Sequence, residues 1–394
     1  MRRASEDERA RLNETFAALC GIPSPSGDEG ACAGEVTRRL RALDLEVSED
    51  GAAALTGAGA GNLLATISPR AGARADVAPP PSAPARSVLL CAHLDTVGHR
   101  GPIEPVMQDG AWSNRHADIL GADNKAAVAV LLELARRCVH EPPPVAVELL
   151  FTVSEERSLA GALAFDASRL SSDIGYVFDH ASPIGEVVMA SPTHYRIDAS
   201  FRGSAAHAGL RPQDGRSAIL AAAHAVAALR LGRLDEQTTA NVGLIEGGAP
   251  SATNVVAERC HFEAEARSLD PVRVEALVAE MVDHIHDAAN VPAWACDVDV
   301  GVRRTFSGYH SSPRSAAVSC AQTALRVCGH EPRGVLSGGA SDANALVAAG
   351  VDCVNLANGT EHNHQPDERV SVAALEDMLD VALALLDAAA VSEH

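Results

Sequence analysis

The chain has 394 residues, 47% of them apolar and 21% charged, which fits a folded globular protein large enough for two domains rather than a disordered one. Against 32 basic residues stand 52 acidic ones, a formal net charge of −20 that argues against nucleic acid and anionic membranes as partners. The nine cysteines are scattered without a CxxC spacing, and no stretch is apolar for the roughly eighteen residues of a membrane span. The charged start Met1–Arg11 also lacks the apolar core of a signal peptide, so the expectation is reduced thiols in a cytoplasm.

In chain order, residues 6–20 read as a helix, 22–27 as a Pro/Ser/Gly turn, and a second helix runs to about residue 42. Short strands follow near 45–48 and 62–67. Residues 68–86, rich in Pro, Ala and Arg and including Pro79-Pro80-Pro81, read as a mobile surface loop. From Val88 to Phe178 apolar strand-like runs alternate with a helix at 124–138, the pattern of an α/β domain. A continuous apolar run such as 88–92 predicts a mostly parallel sheet buried on both faces.

Near Thr193 the pattern changes. Tyr195, Ile197, Ala199 and Phe201 alternate with polar residues, predicting a half-exposed strand. A helix is expected over 216–230, strands at 239–245 and around 260–266, and a helix opened by Asp270 as N-cap with Pro271 in its first turn. A last strand lies near 296–302. The order βαββαβ is that of a ferredoxin-like unit. The α/β pattern then resumes with a helix at 313–327, a Gly-rich segment at 337–339 and a final strand and helix. The expected organisation is thus a discontinuous larger domain, 1–192 plus 306–394, with a smaller domain inserted at 193–305.

Metal-ligating residue types recur just past the apolar runs. Run 88–92 ends in His93-Leu94-Asp95, and Leu120-Gly121-Ala122-Asp123 opens the helix. Run 145–153 ends in Ser154-Glu155-Glu156, run 174–178 ends in Asp179, and run 351–356 leads through a loop to His362-Asn363-His364. In open α/β sheets the carboxyl ends of the strands form one rim, where sites are built. Taken singly each residue has an ordinary reading: a polar strand end, a helix N-cap, a solvated loop, a surface histidine. Together, His93, Asp123, Glu156, Asp179 and His364 can supply one bridging carboxylate and further N/O ligands to two metals roughly 3.5–4 Å apart. Glu155 remains as a general base. Asp95, two residues along the strand from His93, can fix its tautomer.

The segments CAHLDTV (91–97), GADNKAA (121–127), TVSEERSLAGA (152–162), VFDH (177–180) and HNHQPDERV (362–370) resemble the co-catalytic di-zinc metallopeptidases that include peptidase T, carboxypeptidase G-type enzymes and aminoacylases. PSPSGDEG (23–30), SAAHAG (204–209), TTANVGLIEGG (238–248), ATNVVAERC (252–260), EARS (265–268) and GGASDANAL (338–346) extend the likeness over nearly the whole chain, closest to the peptidase T-like branch.

The resemblance implies that Asp123 bridges two zinc ions. His93 and Asp179 would complete one site, and Glu156 and His364 the other. Glu155 would act as general base toward the water between them, Asp95 would orient His93, and the peptide bond after Asp123 would be cis. It further implies that the inserted domain is a lid and dimerisation domain, making the protein a homodimer. His207 would support the oxyanion, reaching in from the opposite subunit, and Asn254 and Arg267 would hold substrate. The implied activity is a zinc-dependent exopeptidase acting on short peptides, of tripeptide aminopeptidase type. Alternatives are an N-acyl amino acid deacylase, an amidohydrolase or a carboxypeptidase using the same site, and more remotely an inactive metal-binding scaffold. Manganese and cobalt suit such ligands nearly as well as zinc. Two positions depart from the family's pattern: Asn124, where many relatives have aspartate, and Gln365, where Ser or Thr is common.

Overall fold

The computed structural model describes residues 3–70 and 87–391, so most of the Pro/Ala-rich stretch 68–86 lies outside the described residues. The chain divides into two compact units, one formed by the residues up to Ala190 together with those from His310, the other by Ser191–Tyr309.

In the first unit four parallel strands form the heart of a sheet, in the order Ala146–Thr152, Ser87–His93, Ile174–His180, Asp352–Ala357. Antiparallel strands flank them: Leu63–Ile67 and then Val47–Glu49 on one side, Glu186–Ser191 on the other. Every residue of Ser87–His93 is buried. That is the burial expected of a parallel strand covered on both faces, and it packs against helices Ala122–His140 and Asp342–Ala348. Helix Ala122–His140 is apolar nearly all round because Glu6–Cys20 and Val372–Val391 cover its outer side. Its first residues are not helical: Asp123 and Asn124 have φ/ψ of −82/105 and −118/29, so the regular helix starts at Lys125.

The second unit is an antiparallel sheet ordered Gly232–Arg233, Thr238–Gly247, Arg259–Ser268, Thr193–Arg202, Asp297–Phe306. Strand Arg259–Ser268 alternates between buried and half-buried positions along its length. The apolar positions, among them Ile197, Phe201, Phe262 and Ala264, face helices Ala218–Ala228 and Pro271–Ala289. The arrangement is ferredoxin-like, with Asp270 accepting from the N–H groups of Val272 and Arg273 at the head of its second helix.

One element is not foreseen from the sequence. A small four-stranded sheet joins Pro105–Gln108, Ala111–Asn114, Arg369–Ser371 and Thr360–Glu361. Its strands are two to four residues long and half exposed, too short for an alternating pattern to register. It anchors both ends of the loop that carries His364. Among the described residues no helix is long and apolar enough to cross a membrane.

Helix Ala122–His140 is tied to the N-terminal helix by a buried ion pair in which Arg137 Nη2 donates to Glu8 Oε2 at 2.7 Å, both residues being about 5% exposed (4% and 6%). Removing one partner of such a pair leaves an uncompensated buried charge. Arg137→Ala is expected to lower the stability of the fold by about 3–5 kcal/mol in urea denaturation, and a loss below about 1 kcal/mol would show the pair to be dispensable.

Candidate metal centre

Strand register brings the candidate residues together. His93 pairs with Thr152, whose strand runs on into Glu155 and Glu156. Cys91 pairs with Val177, so two residues on His93 and Asp179 lie level. His93 Nε2 is 3.2 Å from Asp123 Oδ1 and 3.6 Å from Asp179 Oδ1. From the other side His364 Nε2 lies 2.8 Å from Glu156 Oε1 and 3.3 Å from Asp123 Oδ2. Asp123 therefore stands between the two imidazoles, one on each of its oxygens. The peptide bond from Asp123 to Asn124 is cis.

The charges at this rim are out of balance. Four carboxylates, Asp123, Glu155, Glu156 and Asp179, face two imidazoles, and the side chains of His93, Asp123 and Asp179 are at most 10% exposed. Burial and then the charge of Asp179 push the Glu155 carboxyl well above the usual range, and burial and then Asp123 do the same to Asp179. Asp123 shows the opposite outcome. Burial raises it, but hydrogen bonds with His364 and His93 prevail and hold it below the usual range. Hydrogen bonds to Asp123 first and then to Glu156 lift His364 to about 10. Burial opposes a charge on His93, yet its hydrogen bonds to Asp123 and Asp179 raise it well above an ordinary imidazole.

Two overlapping sets of donor atoms lie within 4.8 Å of one another: His93, Glu155 and Asp179, and His93, Asp123 and Glu156. Imidazole nitrogens mixed with carboxylate oxygens suit zinc, manganese or cobalt, and the excess of buried carboxylate is a charge that divalent cations balance. The residues present therefore fit a pair of metals, with His93, Asp123, Glu156, Asp179 and His364 as the groups that could hold them.

A surrounding set of hydrogen bonds fixes these groups. His93 Nδ1 is 2.9 Å from the carbonyl oxygen of Asp95, which can only accept, so Nδ1 carries the proton and Nε2 faces the carboxylates. The Asp95 carboxylate is 3.5 Å from Nδ1 and is occupied elsewhere, accepting from Ser26 Oγ and from the backbone N–H groups of Glu155 and Glu156 at 2.6, 2.9 and 3.2 Å. It thus clamps the turn that carries the expected base. Ser154, just before that turn, has φ 51, a left-handed conformation rare for serine. Glu29 secures it, taking its N–H and Oγ at 3.2 and 2.9 Å.

Glu29, Asn363, Asp342 and Glu368 were not singled out by the sequence reading. Asn363 Nδ2 donates to Asp123 Oδ2 at 2.8 Å. Asp342, raised by burial to about 6, accepts from Thr152 Oγ1 and lies 3.9 Å from Cys91 Sγ. Only one signal could have marked them: each lies within or beside a motif segment. Of the two departures, Gln365 is exposed, while the Asn124 side chain is fully buried and neither of its polar atoms has a hydrogen-bond partner.

His207, Asn254 and Arg267 all belong to the second unit. His207 and Asn254 are neighbours: His207 bridges to Val255, and Ala208 N donates to the Asn254 carbonyl at 2.8 Å. His207 is exposed, and its Nδ1 accepts from the N–H groups of Gly209 and Leu210 at 3.2 Å each, which leaves the proton on Nε2. Arg267 is separate from both, paired in register with His194 and Thr239. Its Nε and Nη2 already donate to Glu265 at 3.2 and 2.9 Å.

Family models match in both parts of the chain. Residues 77–187 match peptidase family M28, and residues 193–291 match a peptidase dimerisation domain. YqjE of Bacillus subtilis, described as uncharacterized, is 33% identical over 381 residues, 96% of this chain and 98% of the relative. The crystal structure of aminopeptidase PepT from Bacillus cereus superposes with a TM-score of 0.82 at 34% identity, over 97% of this chain and 99% of that one. That of a tripeptidase from Staphylococcus aureus does so with a TM-score of 0.86 at 33% identity, over 97% and 98%. With the motif segments in order along the chain and the donor groups gathered at one rim of the sheet, this protein is a metal-dependent hydrolase belonging to the co-catalytic metallopeptidase family of peptidase T, carboxypeptidase G-type enzymes and aminoacylases, on its peptidase T-like branch.

Proposed function

We propose that the protein is an exopeptidase that hydrolyses short peptides, of tripeptide aminopeptidase type, with two zinc ions held by His93, Asp123, Glu156, Asp179 and His364. The observation that carries this reading is the convergence of two imidazoles on three carboxylates at separations of 2.8 to 3.6 Å. The substrate class is supported by the names of the two structures at 34% and 33% identity, an aminopeptidase and a tripeptidase. When bound, the two cations would polarise the scissile carbonyl as Lewis acids and acidify water.

The chain's own groups do the rest. Glu155 takes the proton of the attacking water and returns it to the leaving amine. Its turn is held by Asp95, so the carboxyl works from a fixed position. His207, with Nδ1 engaged by two backbone N–H groups, offers Nε2–H to the developing oxyanion. The Asn254 carbonyl accepts from the N–H of Ala208, next to His207, which supports a place for Asn254 at the substrate. Arg267 suits the grip of a peptide carboxylate, exchanging its present carboxylate partner Glu265 for that of the substrate.

In the same reading residues 193–305 form the lid and dimerisation domain of a homodimer, and 1–192 with 306–394 the catalytic domain; the match of 193–291 to a dimerisation domain supports this. A cytoplasmic location is supported by the nine cysteines, none of which is in a disulfide.

Glu155→Ala is expected to lower kcat by about 10²–10⁴-fold while metal content stays at the wild-type level; near-normal turnover with metal bound removes Glu155 as the base.

The metal-free protein should show a definite pH dependence. His364 has its pKa raised to about 10 by Asp123 and Glu156, so below that pH its imidazole holds a proton that a cation must displace. Apparent metal affinity therefore rises with pH across the neutral range, and loading near neutral pH releases protons. Calorimetry in buffers of different ionisation enthalpy measures that release; its absence, with affinity flat in pH, would contradict the assignment of His364.

A substrate panel tests the specificity. Free tripeptides should be cleaved, and C-terminal amidation should lower kcat/KM by about tenfold or more, the worth of one charge-assisted hydrogen bond. Preference for N-acyl amino acids would instead make the protein a deacylase with the same centre.

A further inference from the structure

Three neighbouring side chains of the 361–370 loop converge on the turn that carries Asp123. His364 and Asn363 reach its carboxylate Oδ2, at 3.3 and 2.8 Å. Glu368 does something different: it binds the backbone. Its Oε2 accepts from the N–H groups of Leu120 and Gly121, and its Oε1 from that of Asp123, all at 2.8 Å. These three donors sit where the helix has not yet begun, so the helix offers them no carbonyl. Gly121, at φ 75, turns the chain so that they point to a single place, an anion-binding nest built of backbone. The carboxylate that fills it is 2% exposed.

We propose that Glu368 is a positioning residue for the metal centre. It locks the turn of the bridging Asp123 to the loop of His364, and the cation held through Glu156 and His364 depends on it more than the cation held through His93 and Asp179. The asymmetry follows from how the ligands are mounted. His93 and Asp179 lie at the ends of adjacent strands of the parallel sheet, two residues past the pair Cys91–Val177; His93 is held in register with Thr152, and the Asn355 side chain on the next strand brackets the Asp179 backbone at 2.9 and 3.1 Å, all without Glu368. His364 sits on a loop at φ 65 with its side chain 49% exposed, and the contacts of that loop with the Asp123 turn set its distance. In Glu368→Gln one acceptor oxygen becomes an NH₂ group facing a backbone N–H, so the lock cannot close as before.

The inference rests on the dinuclear reading proposed above, and the experiment separates the two. Metal-stripped wild type, Glu368→Gln and Glu368→Asp are titrated with zinc against a chromophoric chelator, with circular dichroism recorded alongside. Wild type should take up two ions. E368Q should hold the first ion within about threefold of wild type and the second about 10–100-fold more weakly, the usual cost of losing a group that orients a ligand. E368D, which keeps the charge but shortens its reach, should fall between them. If E368Q does not fold, E368D carries the test with the same expectation for the second ion. Two ions bound as in wild type, or both weakened equally in a folded variant, overturns the role given to Glu368. Fewer than two ions in the wild type overturns the dinuclear reading itself, and this inference with it.

Discussion

Negative charge held at close quarters in a buried place is the constraint on which this molecule is organised. Asp123, Glu155, Glu156 and Asp179 meet at the rim of the parallel sheet, with Asp95 and Asp342 immediately behind. Carboxylates crowded in this way repel one another and pay a desolvation penalty, and the upward displacement of Glu155 and Asp179 records both effects. A fold keeps such a cluster only if something positive stabilises it. His93 and His364 supply part of that charge, and divalent cations are the chemistry that completes it. A carboxyl held in a fixed place beside a metal pair is also what a general base needs. The arrangement that is awkward for folding is thus useful for hydrolysis.

The rest of the first unit holds the rim still. Parallel strands buried on both faces fix His93 and Asp179 through the ladder, and Asp95 fixes the turn of Glu155 and Glu156 through two backbone N–H groups. Asp123 and His364 lie outside the ladder, one before the regular helix and the other on a loop. The structure secures them by different means, with Asn363, Glu368 and the small four-stranded sheet. Rigid sheet on one side and hydrogen-bonded loop on the other meet at one carboxylate.

The legibility of all this in the sequence follows the same division. The apolar runs 88–92, 145–153 and 174–178 are continuous because the strands are buried on both sides, so the strands and the acids just past them stand out. The alternation 195–201 marks the second unit for the complementary reason, one face wet and one dry. Helix Glu6–Cys20 matches the expected bounds because Ser5 and Glu8 form a capping box, whereas the strand expected at 45–48 lies at Val47–Glu49, because the turn after the second helix, with Asp44 at φ 58 and Leu45 N bonded to Leu40 O, delays its start. Glu368 and Glu29 are marked only by lying in motif segments: their roles come from backbone N–H groups far away in sequence, such as Leu120 and Ser154, and no local pattern announces such a partner. Asp95 was legible as an attendant of His93, yet it is its carbonyl that lies nearest that ring and its carboxylate that serves the next loop. Residue type and position suggested proximity, and only the backbone path could say which atom meets which.

Whether Asp123 bridges a pair of metal ions is read most directly from an anomalous difference map of crystals of the zinc-loaded protein. A bridging Asp123 gives two peaks roughly 3.5–4 Å apart, one beside His93 and Asp179, the other beside Glu156 and His364, with one oxygen of Asp123 directed at each. A single peak, or two peaks with Asp123 turned away from either, would contradict it.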